Sequence, residues 1–112
     1  MKLQLYNTYK REKEEFKPIV EGQVGMYTCG PTVYDFSHIG NFRTFMFEDL
    51  LKRWLMHVGY DVKHIMNITD IDDKTIKRSS DEGVDLKTLT ERYTKYFIKD
   101  LEWLKILPAD DY

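Results

Sequence analysis

Between Phe42 and Val58 the apolar residues Phe42, Phe45, Met46, Phe47, Leu50, Leu51, Trp54, Leu55 and Val58 recur every three or four positions. Arg43, Glu48, Asp49, Lys52, Arg53 and His57 fill the positions between them. This period predicts an amphipathic helix that opens near Asn41, presents its charged residues to water and is closed by Gly59. Upstream, residues 24–29 (Val-Gly-Met-Tyr-Thr-Cys) form a short run of β-favouring side chains that ends at Cys29, with Gly30 and Pro31 punctuating a loop. Downstream, residues 60–68 read as a second strand. Strand, helix and strand in succession make a βαβ unit, which requires parallel strands and is right-handed in nearly all cases.

Outside this unit the pattern is plainer. Leu3, Leu5 and Tyr6 suggest an opening strand, residues 8–15 a charged turn or hairpin arm, and residues 16–20 an extended stretch around Pro18. Residues 21–23 turn the chain into the first central strand. Asp70, Asp72 and Asp73 precede Lys74, Lys77 and Arg78, the charge order that suits a helix dipole, and Gly83 stops that helix. Asp85 caps a last helix carrying Leu86, Leu89, Tyr93, Tyr96, Phe97, Leu101 and Leu104, which ends before Pro108. No third sheet strand is predicted before Tyr112, so the two central strands are expected to leave open edges.

Composition narrows the function classes. The 112 residues, 42% apolar and 32% charged, suit one small globular domain or part of a larger one. A net charge of -2 argues against a free-standing nucleic-acid module, so a polynucleotide partner would need residues from elsewhere. No stretch approaches the roughly 18 apolar residues of a membrane span, and the first residues lack the apolar core of a secretion signal. The expected location is cytoplasmic. A single cysteine excludes an intramolecular disulfide.

Candidate chemistry gathers where the strand meets the helix. Cys29 is either a small buried hydrophobe or a zinc ligand, since thiolate is a preferred zinc donor. His38, Gly40 and Asn41 stand at a helix start, where unpaired N–H groups and a partial positive charge favour an anion. The plain alternative is an Asn41 cap beside a solvated His38. Asp70, Asp72 and Asp73 are either magnesium ligands or ordinary helix-start charges. Asn67 and Thr69 end the second strand, where ligands of parallel sheets bind, although Thr69 could equally cap the next helix.

Together these segments closely resemble the cysteinyl-tRNA synthetases, a family of class I aminoacyl-tRNA synthetases. The resemblance is carried by residues 14–19 (Glu-Glu-Phe-Lys-Pro-Ile), by Tyr27-Thr28-Cys29-Gly30-Pro31-Thr32-Val33-Tyr34-Asp35 through His38-Ile39-Gly40-Asn41, by Arg43-Thr44, and by residues 67–74 (Asn-Ile-Thr-Asp-Ile-Asp-Asp-Lys). It implies a Rossmann-like parallel sheet of which residues 1–112 are the N-terminal half, with the remainder of the catalytic domain and an anticodon-binding domain absent. It also implies activation of L-cysteine by ATP, with Mg2+, to cysteinyl-adenylate and transfer to tRNA(Cys). Cys29 is then one of four zinc ligands, the other three lying in later sequence. Zinc would bind the substrate thiolate and reject serine at the binding step. Gly30, Pro31 and Thr32 would line the amino-acid pocket, while Thr44, Asn67 and Thr69 would hold the cysteine or its adenylate. His38, Gly40 and Asn41 correspond to the element that holds ATP, with His38 and Asn41 as its catalytic donors. Asn41 stands where a second histidine is frequent, keeping a donor without a titratable charge.

The second class I element, a Lys-Met-Ser-Lys-Ser loop, does not occur in these residues. The chain alone is therefore expected to be inactive. The competing readings are a cysteine ligase of mycothiol biosynthesis, which shares the zinc pocket and the adenylate, and a non-catalytic nucleotide-binding fragment.

Overall fold

The computed structural model describes residues 2–112; Met1 lies outside it. The chain opens with an antiparallel hairpin of β1 (Gln4–Asn7) and β2 (Glu12–Glu15), then runs without regular structure to a turn at Gly22, whose φ of 77° suits glycine. The extended stretch expected at 16–20 is thus irregular, with only a bridge from Val20 to Gln23. β3 (Gln23–Thr32), α1 (Ile39–His57) and β4 (Asp61–Thr69) follow, and β3 pairs with β4 in parallel, as the βαβ pattern requires. α2 (Asp73–Glu82) ends at Gly83 in the left-handed conformation, and α3 (Leu86–Trp103) is capped by Asp85.

Alternation along the strands decides which face carries the core. Val24 and Thr28 on β3 and His64 and Met66 on β4 are buried, whereas Tyr27, Cys29 and Ile65 are exposed. Met66 packs with Phe42 and Phe45 of α1, Phe97 and Leu101 of α3, and Ile106. Each such side chain, fully buried, contributes about 1.5–3 kcal/mol. Among the described residues the opposite sheet face is left exposed at Tyr27 and Ile65, and Cys29 stands on it.

Three differences from the sequence pattern have physical causes. β3 does not end at Cys29 but continues through Gly30 and Pro31 to Thr32. The register passes from Cys29 opposite Asn67 to Thr32 opposite Thr69, so β3 carries one extra residue there. Such a bulge admits a proline, which has no N–H for the ladder. Lys52, expected on the polar face of α1, is only 7% exposed, because its ammonium donates to the Pro108 carbonyl at 2.8 Å. Third, the segment after α3 returns to the sheet. The Asp110 N–H donates to the His64 carbonyl, the Met66 N–H donates to the Asp111 carbonyl, and Asp111 bridges Ile65 in parallel on the free edge of β4. A third strand position thus exists where none was expected, too short for periodicity to reveal.

Candidate functional site

Two clusters form at the carboxyl ends of β3 and β4, one in the last residues of the strands and one at the start of α1. In the first, the Gly30 N–H donates to Asn67 Oδ1 at 3.1 Å, and Asn67 Nδ2 donates to Thr69 Oγ1 at 3.3 Å. Cys29 lies in register with Asn67, and Thr32 with Thr69, flanking the bulge at Pro31. Glycine at position 30 is required by packing, since a Cβ there would stand 2.0 Å from the Asn67 carbonyl oxygen. The Cys29 thiol is free and exposed, which removes the buried-hydrophobe alternative.

The second cluster is the start of α1, two residues earlier than the periodicity suggested. His38, not Asn41, is the cap: its Nδ1 accepts the Gly40 N–H at 3.0 Å, and Asn41 Oδ1 accepts the His38 N–H at 3.0 Å. This reciprocal arrangement is a capping box with an imidazole and an amide in place of the usual residues. With Nδ1 accepting, Nε2 is the ring nitrogen left to donate. Asn41 likewise keeps its oxygen for the backbone and its NH2 for other partners. A Cβ on Gly40 would meet His38 Nδ1 at 3.2 Å, so the glycine leaves room for the ring. The main-chain N–H groups of Gly40, Asn41 and Phe42 are all engaged by His38. What the corner offers an anion is therefore its side-chain donors, the dipole and, of the first-turn amides, that of Ile39, rather than the full set of unpaired amides anticipated from sequence. The His-x-x-Asn spacing was the available signal for the box. Thr44 is exposed three residues beyond Asn41, a spacing that puts both on one side of the helix.

No hydrogen bond or ion pair joins the two clusters among the described residues; each is tied within itself. A cavity of about 670 Å³, lined among others by Ile68, Asp70, Ile71, Lys87 and Thr90, lies beside the two clusters and takes in Asp70 alone of the candidate residues. Asp72 caps α2, accepting from the Lys74 N–H at 2.9 Å while its own N–H donates to Thr75 Oγ1. Among the described residues no group of three or more His, Cys, Asp or Glu side chains could hold a metal ion. Helix-start electrostatics accounts for Asp72, the cap, and Asp73, in the first turn, whereas Asp70 lies before the helix.

Beneath the first cluster lies a buried polar group that the sequence did not announce. Thr28 Oγ1 and His64 Nε2 are 2.9 Å apart, and His64, 3% exposed, has no partner for Nδ1. Burial lowers the His64 pKa, helped by the Lys52 ammonium, although Asp110 and Asp49 oppose the shift. Burial raises the pKa of Glu48, against a hydrogen bond from Thr28. The backbone N–H of His64 donates to Asp110 at 2.7 Å and holds that carboxyl below its usual range.

Residues 15–112 match the family model of the tRNA synthetases class I (C) catalytic domain. Similar curated proteins include the cysteine–tRNA ligase of Thermococcus kodakarensis, 54% identical over 112 residues that cover 100% of this chain and 24% of that protein. That of Pyrococcus furiosus is 54% identical over 110 residues, 98% of this chain and 23% of its own length. That of Chlamydia trachomatis is 57% identical over 112 residues, 100% of this chain and 23% of its own length. The chain spans about a quarter of the length of these relatives. No helix of the described residues is long and apolar enough to cross a membrane. A family match over nearly the whole chain, joined to the parallel strand pair and the His38–Asn41 helix start, leads to one conclusion: the chain belongs to the class I (C) tRNA synthetases and is a part of their catalytic domain.

Proposed function

We propose that this chain is the N-terminal half of the Rossmann-like catalytic domain of a cytoplasmic cysteine–tRNA ligase, which activates L-cysteine with ATP and transfers it to tRNA(Cys). The observation that carries the reading is the reciprocal cap between His38 and Asn41. The cap turns both acceptor atoms toward the backbone and leaves Nε2–H and the Asn41 amide as donors at the positive end of α1. In adenylation the amino-acid carboxylate, already ionised at neutral pH, attacks the α-phosphorus and pyrophosphate departs. No general base is needed. Charge builds on phosphate oxygens, and fixed donors at that position stabilise it without reorganising. His38 and Asn41 are assigned that work, with Gly40 keeping the ring in place and Mg2+ accompanying the nucleotide.

Cys29, Gly30, Pro31 and Thr32 are assigned to the amino-acid pocket, and Thr44, Asn67 and Thr69 to the cysteine or its adenylate. Asn67 has a second N–H to give, and the Thr69 hydroxyl, which accepts from Asn67, has its own proton to donate. The exposed Cys29 thiol fits a zinc site as one donor, and the other ligands must come from outside these residues. Zinc bound there would select the substrate thiolate over a hydroxyl.

The test is cysteine-dependent ATP–pyrophosphate exchange by the full-length protein. His38→Ala is expected to lower the exchange rate on the order of a hundredfold with the fold preserved. Unchanged exchange in that variant contradicts the assignment.

A further inference from the structure

The loop between β3 and His38 does not lie free. Val33, 1% exposed, is buried with Leu89 and Tyr93 of α3. The Tyr34 ring lies under the Lys74 ammonium of α2, 5.6 Å from the ring centroid. Asp35 faces the Arg78 guanidinium of α2 at 3.9 Å. Phe36 sets its ring edge-on to Tyr93 at 5.4 Å and against Tyr96 at 4.9 Å. Four consecutive loop residues are thus each engaged by the α2–α3 hairpin. The two helices are themselves joined at this point, since Arg78 Nη2 donates to the Tyr93 hydroxyl at 3.4 Å and Glu82 accepts from both Arg78 and Arg92.

Phe36 departs from packing economy. It is 62% exposed, in a loop where a polar residue would cost nothing in solvation, yet two aromatic rings receive it. Aromatic pairs of this geometry contribute beyond their buried area, and they hold orientation as well as distance. Two residues later comes His38, whose ring, among the described residues, is hydrogen-bonded to the Gly40 backbone.

We infer that the α2–α3 hairpin is a clamp that positions His38, with Phe36 and Tyr93 as its positioning residues and the Arg78–Asp35 pair as a second hold. None of these groups touches the nucleotide in this account; they act through the loop. The inference rests on the reading of His38 as a phosphate donor only for its effect on rate. The clamp itself is a property of the chain.

The experiment uses Phe36→Ala and Phe36→Tyr in the full-length protein, with two readouts. The first is amide hydrogen exchange at Gly40, whose N–H is held by the His38 ring. The second is cysteine-dependent ATP–pyrophosphate exchange with kcat and KM for ATP separated. Because Phe36 is exposed, Phe36→Ala is expected to melt close to wild type. It should exchange the Gly40 amide about tenfold faster. It should lower kcat about tenfold with KM for ATP little changed, the pattern of a misplaced transition-state donor rather than lost binding. Phe36→Tyr should restore both. Wild-type Gly40 exchange in Phe36→Ala overturns the clamp whatever the activity assay gives. If the wild-type protein itself shows no pyrophosphate exchange, the function assignment fails, and the Gly40 amide still decides the clamp.

Discussion

α1 and α2 begin with the same backbone device and opposite chemistry. Each has a capping box in which the cap side chain takes an N–H inside the first turn and the residue three positions later takes the cap's own N–H. At α2 the cap is the Asp72 carboxylate, with Asp73 in the first turn, so the helix supplies its own negative charge to its positive end. At α1 the cap is an imidazole, its partner is an amide, and no acidic residue stands in the first turn. One start is electrostatically closed; the other is satisfied in hydrogen bonds yet open in charge. The difference teaches that capping geometry does not mark a site. What marks it is whether the capping groups leave charge and donors for something else.

The largest predicted effect comes from making α1 resemble α2. His38→Asp keeps an acceptor for the Gly40 N–H but brings a carboxylate to the phosphate position. Pyrophosphate exchange is expected to fall on the order of a thousandfold, about 4 kcal/mol, while the melting temperature stays near wild type. Activity within tenfold of wild type would dissolve the contrast.

Next is the strand side of the corner, where the sheet beneath α1 has no counterpart at α2. Gly30→Ala puts a Cβ against the Asn67 carbonyl, an atom of the backbone that cannot swing aside. The expected loss is about 3 kcal/mol of stability, read by chemical denaturation. A much smaller loss would show that the β3–β4 bulge yields.

Asp72→Ala probes the closed start. It should cost about 1 kcal/mol of stability and leave pyrophosphate exchange unaltered, the reverse of His38→Asp. The smallest effect is a pH slope from the buried network under the corner. His64 is held below its ordinary pKa of 6.5, so the unfolded chain binds the proton first. Its contribution is complete above about 6.5 and declines as pH falls from there toward its folded value. Glu48, raised above 4.5, acts oppositely, its contribution fading as pH rises from 4.5 to its folded value. Denaturation from pH 7 to 5 in a Glu48→Gln background isolates His64, and a stability that rises on acidification would contradict the sign.

The elements with long periods were legible in the sequence. α1, α3 and the βαβ unit followed from helical spacing and β-rich runs, because burial of one face is what those patterns encode. Lys52 was not, since a side chain whose stem is buried and whose ammonium reaches a carbonyl looks like any polar-face lysine until Pro108 is placed. Phe47 and Leu50 read as core and are 64% and 65% exposed, because α1 is apolar around more of its circumference than β3, β4 and α3 cover. The continuation of β3 through Pro31 and the bridge at Asp111 depend on what each residue is paired with, which spacing along the chain does not record. At the candidate site, Cys29, His38, Gly40, Asn41, Asn67 and Thr69 stood out by position and chemistry and Gly30, Pro31, Thr32 and Thr44 by resemblance, whereas their division into two clusters came from coordinates. The direction of the His38 ring followed from a single acceptor contact to Gly40.

That ring is also where the account is most exposed to measurement. Nitrogen NMR of the full-length protein with labelled histidine reads the protonation of each ring nitrogen of His38 directly. Nδ1 is expected to be unprotonated and Nε2 protonated in the free protein, with the Nε2 proton and the Asn41 amide shifting on ATP addition while the first turn of α2 stays unmoved. A proton on Nδ1, or ATP shifts at Lys74 and Thr75 in place of His38 and Asn41, would contradict it.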